Sequence, residues 1–389
     1  MATGPRVLVS CGEASGDLYA GALVEALRRV EPGVDVVAFG GDRLRAAGAS
    51  LVGDYRGVSV TGLSEAIAAL PRSWQLLRRI EAVARERRPD VFVAIDFPDF
   101  NFRLLPVMHR LGIPVVYYVS PQLWAWRAGR LETIRRYVRR MLVIFPFETG
   151  LYERAGVPVT FVGHPLVDLA RATRSREDVL RSAGLDPARP VVALLPGSRP
   201  NELRRILPTL RAAVPLIAAR VPGAQFLVAR APALDDSLFT PLADLTASGV
   251  PCAVMAGEAD NVLGAVDVAV TASGTATVQT ALHDRPMVMV YRLSPMTYAL
   301  GRRFVRVPHY AMVNLIAGRA VIRELVQDDL TPEAVAGEAV SLLTDRGRAE
   351  AMRRDLAEVR ARLGGPGASD RAAAEVLRAA GLWKTDPSP

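Results

Sequence analysis

The chain has 389 residues, half of them apolar and 23% charged, which is enough for two domains with full cores and excludes a disordered polymer. Its net charge of +8 is carried mostly by arginine and suits an anionic partner, while the two cysteines, Cys11 and Cys252, exclude a disulfide framework. No zinc finger, RNP-type aromatic motif or lysine-rich tail is present, so no nucleic-acid partner is expected.

In chain order, Arg6 to Ser10 reads as a buried strand that runs into Cys11-Gly12-Glu13-Ala14-Ser15-Gly16-Asp17 and a helix from Leu18 to Arg29. The same unit recurs at Val191 to Leu195, with the turn Pro196-Gly197-Ser198-Arg199 and a helix from about Asn201. A strand, a small-residue turn and a helix N-terminus present free backbone N–H groups to an anion. Between and beyond these units, continuous apolar runs predict strands at Val34–Phe39, Val91–Ile95, Val115–Val119, Met141–Phe145, Val159–Val162, Gln225–Ala229, Val266–Thr271 and Met287–Tyr291. Helical stretches lie between most of them. The expectation is an α/β chain of two facing Rossmann-like, doubly wound domains, with a ligand in the cleft between them. The expected boundaries are 1–165, 166–345 and a tail of two helices over 346–389.

No apolar run approaches the ~18 residues of a spanning helix. Met1 to Pro5 forms no secretory n-region, so a cytosolic chain is expected. Val60, Leu63, Ile67, Leu70, Trp74 and Leu77 recur at steps of three and four and form one apolar helical stripe, broken at Pro71. Such a stripe is either core or, with Arg72 to Arg88 directly after it, an interfacial helix on anionic lipid.

Three turns carry candidate chemistry. Asp96 follows the strand Val91–Ile95, at the end that faces the ligand crevice in an open α/β sheet. Among Phe97, Phe100 and Phe102 it can act as a general base, or it can be a turn carboxylate capping the next helix; Asp99 fits the second role better. In Pro196 to Arg199, Gly197 lets backbone approach a phosphate, Ser198 can donate to it and Arg199 offers a planar fork of donors. Ala272-Ser273-Gly274-Thr275-Ala276-Thr277 is a second turn of that kind, and the two together suit a diphosphate. There is no G-x-G-x-x-G with a following acid, no P-loop and no Asp-x-Asp pair for a metal. Of the four histidines, His164 is a secondary candidate beside the domain junction, the others structural.

Taken together, GEASGD at 12–17, IDFPDFN at 95–101, YVSPQLWAWR at 118–127, FPFE at 145–148, GHP at 163–165, LLPGSR at 194–199, ASGTAT at 272–277, YRLSP at 291–295 and Asn314 with Ala317-Gly318-Arg319 resemble the lipid-A-disaccharide synthase family over roughly residues 6 to 330. The resemblance implies the two-domain GT-B fold and an inverting, metal-independent glycosyltransferase with no cofactor. It implies UDP-2,3-diacylglucosamine as donor, 2,3-diacylglucosamine 1-phosphate as acceptor, and a homodimer, built with the C-terminal region, on the anionic cytoplasmic face of the inner membrane. By the same resemblance Asp96 deprotonates the acceptor's 6-hydroxyl, and Glu13 and Ser15 line the acceptor side. Arg199, Ser198, Gly197, Gly274 and Thr275 hold the diphosphate with Asn314 nearby, and the stripe at Val60, Leu63, Ile67, Leu70 and Trp74 meets lipid. Gln279 stands where the family usually has a glutamate that receives ribose hydroxyls, so Gln279→Glu is expected to tighten UDP binding by about 1 kcal/mol. Outside the resemblance, another UDP-sugar transferase or an epimerase of this architecture, or an inactive UDP-sugar-binding membrane-associated protein, would share the diphosphate turns.

Overall fold

The computed structural model describes residues 4–56, 70–121, 129–242, 244–245, 249–294, 298 and 308–382. The chain divides into two compact units, 1–165 with 363–389, and 166–362.

The first unit holds a seven-stranded parallel sheet of β1 (Arg6–Cys11), β2 (Asp35–Gly40), β3 (Ser50–Asp54), β4 (Val91–Ile95), β5 (Val115–Tyr118), β6 (Arg140–Val143) and β7 (Val159–Phe161), in the order β3-β2-β1-β4-β5-β6-β7. The second holds six parallel strands, β8 (Val191–Leu195), β9 (Gln225–Arg230), β10 (Cys252–Ala256), β11 (Val268–Ala272), β12 (Met287–Tyr291) and β13 (Arg323–Val326), in the order β10-β9-β8-β11-β12-β13. Both sheets are doubly wound, with the strand order reversing between β1 and β4 and between β8 and β11. The central strands β4, β8 and β11 are buried at every position, because helices cover both faces.

The apolar runs locate the inner strands, with ends shifted by a residue or two. Three strands are not among those expected: Ser50–Asp54 and Arg323–Val326, which mix in polar residues, and Cys252–Ala256, which is apolar throughout. All three lie at sheet edges, where one side lacks a neighbour and polar residues are tolerated.

The two terminal helices part company. Arg346–Arg362 stays with the second unit, while Ala368–Ala379 packs in the first, against the helix Ala14–Val30. Arg29 pairs with Asp370 at 2.5 Å and Arg140 with Glu375 at 3.2 Å. Arg371 Nε donates to the Val162 carbonyl at 2.8 Å, so the last helix is tied to the end of the sheet as well.

The helix Leu70–Arg87 shows why the apolar stripe and the arginine run coexist. Leu77, Ile80 and Ala84 are buried on one face and the arginines turn outward. Pro71 stands in the first turn, where its missing N–H removes no helical bond. The stripe itself divides: Leu77 is core, but Trp74 is 55% exposed, with the Arg103 guanidinium 5.6 Å from its ring centre. Val60, Leu63 and Ile67 lie outside the described residues, as does the side chain of Leu70. Among the described residues no helix is long and apolar enough to cross a membrane.

Candidate active site

In the first unit, the turns after β1 and β4 meet at the reversal of strand order. Gly12 is required there: a Cβ would stand 2.1 Å from Cγ of Phe97. Glu13 is the N-terminal flanking residue of Ala14–Val30, in extended conformation, and does not cap the helix with its side chain. Ser15 follows in the first turn, partly exposed. The last residue of the motif, Asp17, is buried and serves the fold: its carboxylate accepts N–H bonds from Gly41 at 2.8 Å, Arg43 at 2.9 Å and Leu44 at 3.3 Å, holding the start of a short helix.

Asp96 and Phe97 both have positive φ, +45° and +48°. Left-handed backbone at two successive non-glycine residues costs of order 1–3 kcal/mol each, less for Asp, and persists only where neighbours over-determine it. Here two buried side chains converge on one carbonyl. Asn101 Nδ2 and Tyr117 Oη each donate to the Asp96 oxygen at 2.8 Å, and the Asp96 N–H donates to the Tyr118 carbonyl at 3.0 Å. Asn101 is tied in turn to β1, its Oδ1 accepting from Ser10 Oγ at 2.7 Å. Burial, followed by the charge of Asp96, pushes the Tyr117 phenol well above its ordinary range, so it stays a donor. The Phe97 ring stacks on Phe100 at 5.2 Å and completes the wedge. Asp96 is thus a half-buried carboxylate on a backbone clamped at the carboxyl end of β4. Asp99 is different in kind: an exposed first-turn residue of Pro98–Arg110, paired with Arg130. Sequence reasoning quoted Asn101 within its motif without a role and did not single out Tyr117, whose contact spans 21 positions.

His164 is fully buried against Tyr19 and Phe145, with ring centres 5.8 and 5.3 Å away. Burial lowers its pKa to about 3, which keeps the ring neutral.

In the second unit the turns after β8 and β11 meet at the corresponding reversal. Arg199 precedes Pro200–Arg220, a helix with proline at its first position. Its Nη1 pairs with Glu202 Oε1 at 3.2 Å, and Glu202 Oε2 accepts the Ser198 N–H at 3.2 Å. Gly197 has φ +118°, and a Cβ there would stand 2.7 Å from Glu202 Oε2. The turn is therefore organised around the Glu202 carboxylate. After β11, Gly274 has φ +114° and precedes Thr275–Leu282; among the described residues nothing lies within 4 Å of the place a Cβ would take. Ser273 Oγ donates to the Tyr310 carbonyl at 2.8 Å.

Two residues expected beside the ligand make side-chain bonds within the fold. Asn314 is fully buried, and its amide is saturated. Nδ2 donates to the Ile322 carbonyl at 3.0 Å and to Glu324 Oε1 at 2.8 Å, while Oδ1 accepts the N–H groups of Val321 at 2.8 Å and Ile322 at 3.0 Å. Two donors and two acceptor positions are all an amide has, so nothing is left for a ligand. Gln279 Nε2 donates to Asp260 Oδ1 at 2.7 Å, and the same oxygen lies 2.8 Å from His283 Nε2. A carboxylate at 279 would face Asp260 across that distance. The expectation that Gln279→Glu tightens UDP binding is therefore replaced: the variant should lose stability, by roughly 1 kcal/mol at neutral pH, with no gain in UDP affinity. Thermal melts and calorimetry on both proteins check this, and a variant that melts as wild type and binds UDP more tightly contradicts it.

Two doubly wound sheets with candidate anion turns at their reversals define a class, the GT-B type of sugar-nucleotide enzyme. Solved structures agree on the fold: a S. aureus MnaA–UDP co-structure aligns with TM-score 0.68 at 12% identity, covering 99% of each chain. A UDP-GlcNAc 2-epimerase from Neisseria meningitidis bound to UDP-GlcNAc gives 0.68 at 12%, covering 96% of this chain and 100% of its own. The particular family comes from sequence. The family model for lipid-A-disaccharide synthetase matches residues 7–377. A lipid-A-disaccharide synthase of Myxococcus xanthus is 44% identical over 377 residues, 97% of this chain and 98% of the relative, and one of Geobacter sulfurreducens is 42% identical over 382 residues, 97% and 98%. The chain belongs to the lipid-A-disaccharide synthase family, glycosyltransferases of lipid A biosynthesis.

Proposed function

We propose that the protein transfers diacylglucosamine from UDP-2,3-diacylglucosamine to the 6-hydroxyl of 2,3-diacylglucosamine 1-phosphate, with inversion, without a metal, and with UDP leaving. The observation that carries the reading is Asp96, a carboxylate held on strained, doubly clamped backbone at the reversal of the first sheet. It removes the acceptor proton as the oxygen attacks the anomeric carbon, and the C–O bond to the diphosphate breaks in the same displacement. Glu13 and Ser15 lie on the neighbouring turn and bind the acceptor. Arg199, Ser198, Gly197 and the Gly274–Thr275 helix start take the negative charge that grows on UDP, the electrostatic task a metal performs elsewhere. The test is stereochemical: the new linkage should be β from an α-linked donor, formed at an unchanged rate in excess EDTA. Retention of configuration, or activity restored only by a divalent cation, overturns it.

The enzyme works as a homodimer on the anionic inner face of the cytoplasmic membrane. Trp74, exposed beside an arginine-rich helix face, supports this, since an aromatic ring next to cations suits the headgroup boundary. Trp74→Ser should weaken binding to anionic vesicles about fivefold in a sedimentation assay, with its melting temperature unchanged. Leu77→Ser, one step along the stripe but in the core, should instead lower the melting temperature. Equal vesicle binding by Trp74→Ser and wild type removes Trp74 from the lipid surface.

A further inference from the structure

The saturated amide of Asn314 belongs to a polar chain that ends at the second anion turn. Glu324, on the edge strand β13, receives three donors. Its Oε2 accepts the Tyr310 N–H at 2.9 Å, and Oε1 accepts the Ala311 N–H at 3.0 Å and Asn314 Nδ2 at 2.8 Å. The carbonyl of that same Tyr310 is the acceptor for Ser273 Oγ. Ser273 directly precedes Gly274, which has a positive φ and, among the described residues, no neighbour within 4 Å of the place a Cβ would take. The Gly274 carbonyl closes the first turn of the helix, accepting Thr277 N–H at 3.1 Å and Thr277 Oγ1 at 2.9 Å, and the Ser273 N–H donates to the Val290 carbonyl at 3.2 Å. The hydroxyl of Ser273 is the bond that ties this turn to the backbone at Tyr310.

We propose that Glu324 is a positioning residue for the nucleotide diphosphate: it fixes the backbone at Tyr310–Ala311, which orients Ser273 and so sets the Gly274–Thr275 turn. The proposal rests on the reading that this turn takes the diphosphate. A carboxylate is needed because all three incoming groups are N–H donors and an ionised carboxylate only accepts. A glutamine would turn its own N–H₂ toward one of them and release part of the loop. Asn314 acts one step further back: it holds Glu324 in place while its Oδ1 ties down the 321–322 backbone leading into β13. Its contribution to nucleotide binding is then indirect.

The experiment is UDP titration calorimetry, with thermal melts and donor kinetics, on Ser273→Ala, Glu324→Gln, their double variant and Thr275→Asp. Ser273→Ala should weaken UDP five- to tenfold, raise the donor KM similarly, keep kcat within about threefold and melt as wild type. Glu324→Gln should weaken UDP at least as much, and the double variant should be no worse than Glu324→Gln alone, because both break one chain. Additive losses, or a Glu324→Gln protein with a lowered melting temperature and wild-type UDP affinity, overturn the proposal. If Glu324→Gln does not fold, Ser273→Ala alone decides, and wild-type affinity there overturns it. Thr275→Asp tests the underlying reading: it suits the helix start but puts a negative charge where the diphosphate would lie. Unchanged UDP affinity in Thr275→Asp removes the turn from the nucleotide site, and the proposal with it. Loss there, with Ser273→Ala and Glu324→Gln both unaffected, removes only the chain through Glu324.

Discussion

Asp96→Asn should lower kcat by about 10²–10⁴ while leaving UDP affinity and melting temperature at their wild-type values. Asparagine is the informative replacement. It tolerates left-handed backbone about as well as aspartate, so the φ of +45° survives, and the Asn101 and Tyr117 donors still find the residue-96 carbonyl. What is lost is the basic oxygen alone. Asp96→Ala adds backbone strain and should lower the melting temperature as well, which would mix the two effects. Asp99→Asn is the control: the side chain is exposed and its pair with Arg130 lies at the surface, so turnover should stay within about twofold. Wild-type turnover by Asp96→Asn, or a large loss with Asp99→Asn, would move the base away from Asp96.

Arg199→Ala should lower kcat by about 10²–10³ and weaken UDP at least tenfold, the scale for removing a charged donor from a transition-state oxyanion. Lysine should restore part of both, since it returns the charge but not the planar fork. The structure adds a consequence that the residue type alone does not give. Glu202 Oε1 pairs with Arg199, so in the Ala variant a carboxylate is left in the turn without that partner, close to the place proposed for the phosphates. Arg199→Ala with Glu202→Gln should therefore bind UDP more tightly than Arg199→Ala alone, although Glu202→Gln in the wild-type background loosens the turn by weakening the Ser198 contact. UDP titrations on the four proteins of this cycle check it, and a double variant no better than Arg199→Ala contradicts this account of the turn.

Much of this arrangement was readable in the chain because its parts are local. Each candidate turn directly follows a buried parallel strand, and continuous apolar runs mark those strands without ambiguity. Strand order places the ends of β1 and β4, and of β8 and β11, side by side, so the motifs after them converge in each unit. What escaped is non-local or depends on which way a side chain points. Of the edge strands, Ser50–Asp54 and Arg323–Val326 mix polar residues into their runs, while Cys252–Ala256 is apolar throughout but holds a single β-branched residue, Val254. The clamp on Asp96 joins residues 5 and 21 positions away, and no spacing announces it. The resemblance sets Asn314 and Gln279 beside the nucleotide; that the Asn314 amide is taken up by Glu324 and the 321–322 backbone, and Gln279 Nε2 by Asp260, only the packed structure shows.

The central claim is that this chain joins two acylated sugars. The measurement that meets it most directly is product analysis by mass spectrometry and UDP quantification, with purified protein, UDP-2,3-diacylglucosamine and 2,3-diacylglucosamine 1-phosphate in EDTA. The account predicts one UDP released for each disaccharide 1-phosphate formed, and little turnover when either sugar lacks its acyl chains. UDP released without disaccharide, an epimerised donor, or equal rates with deacylated sugars would contradict it.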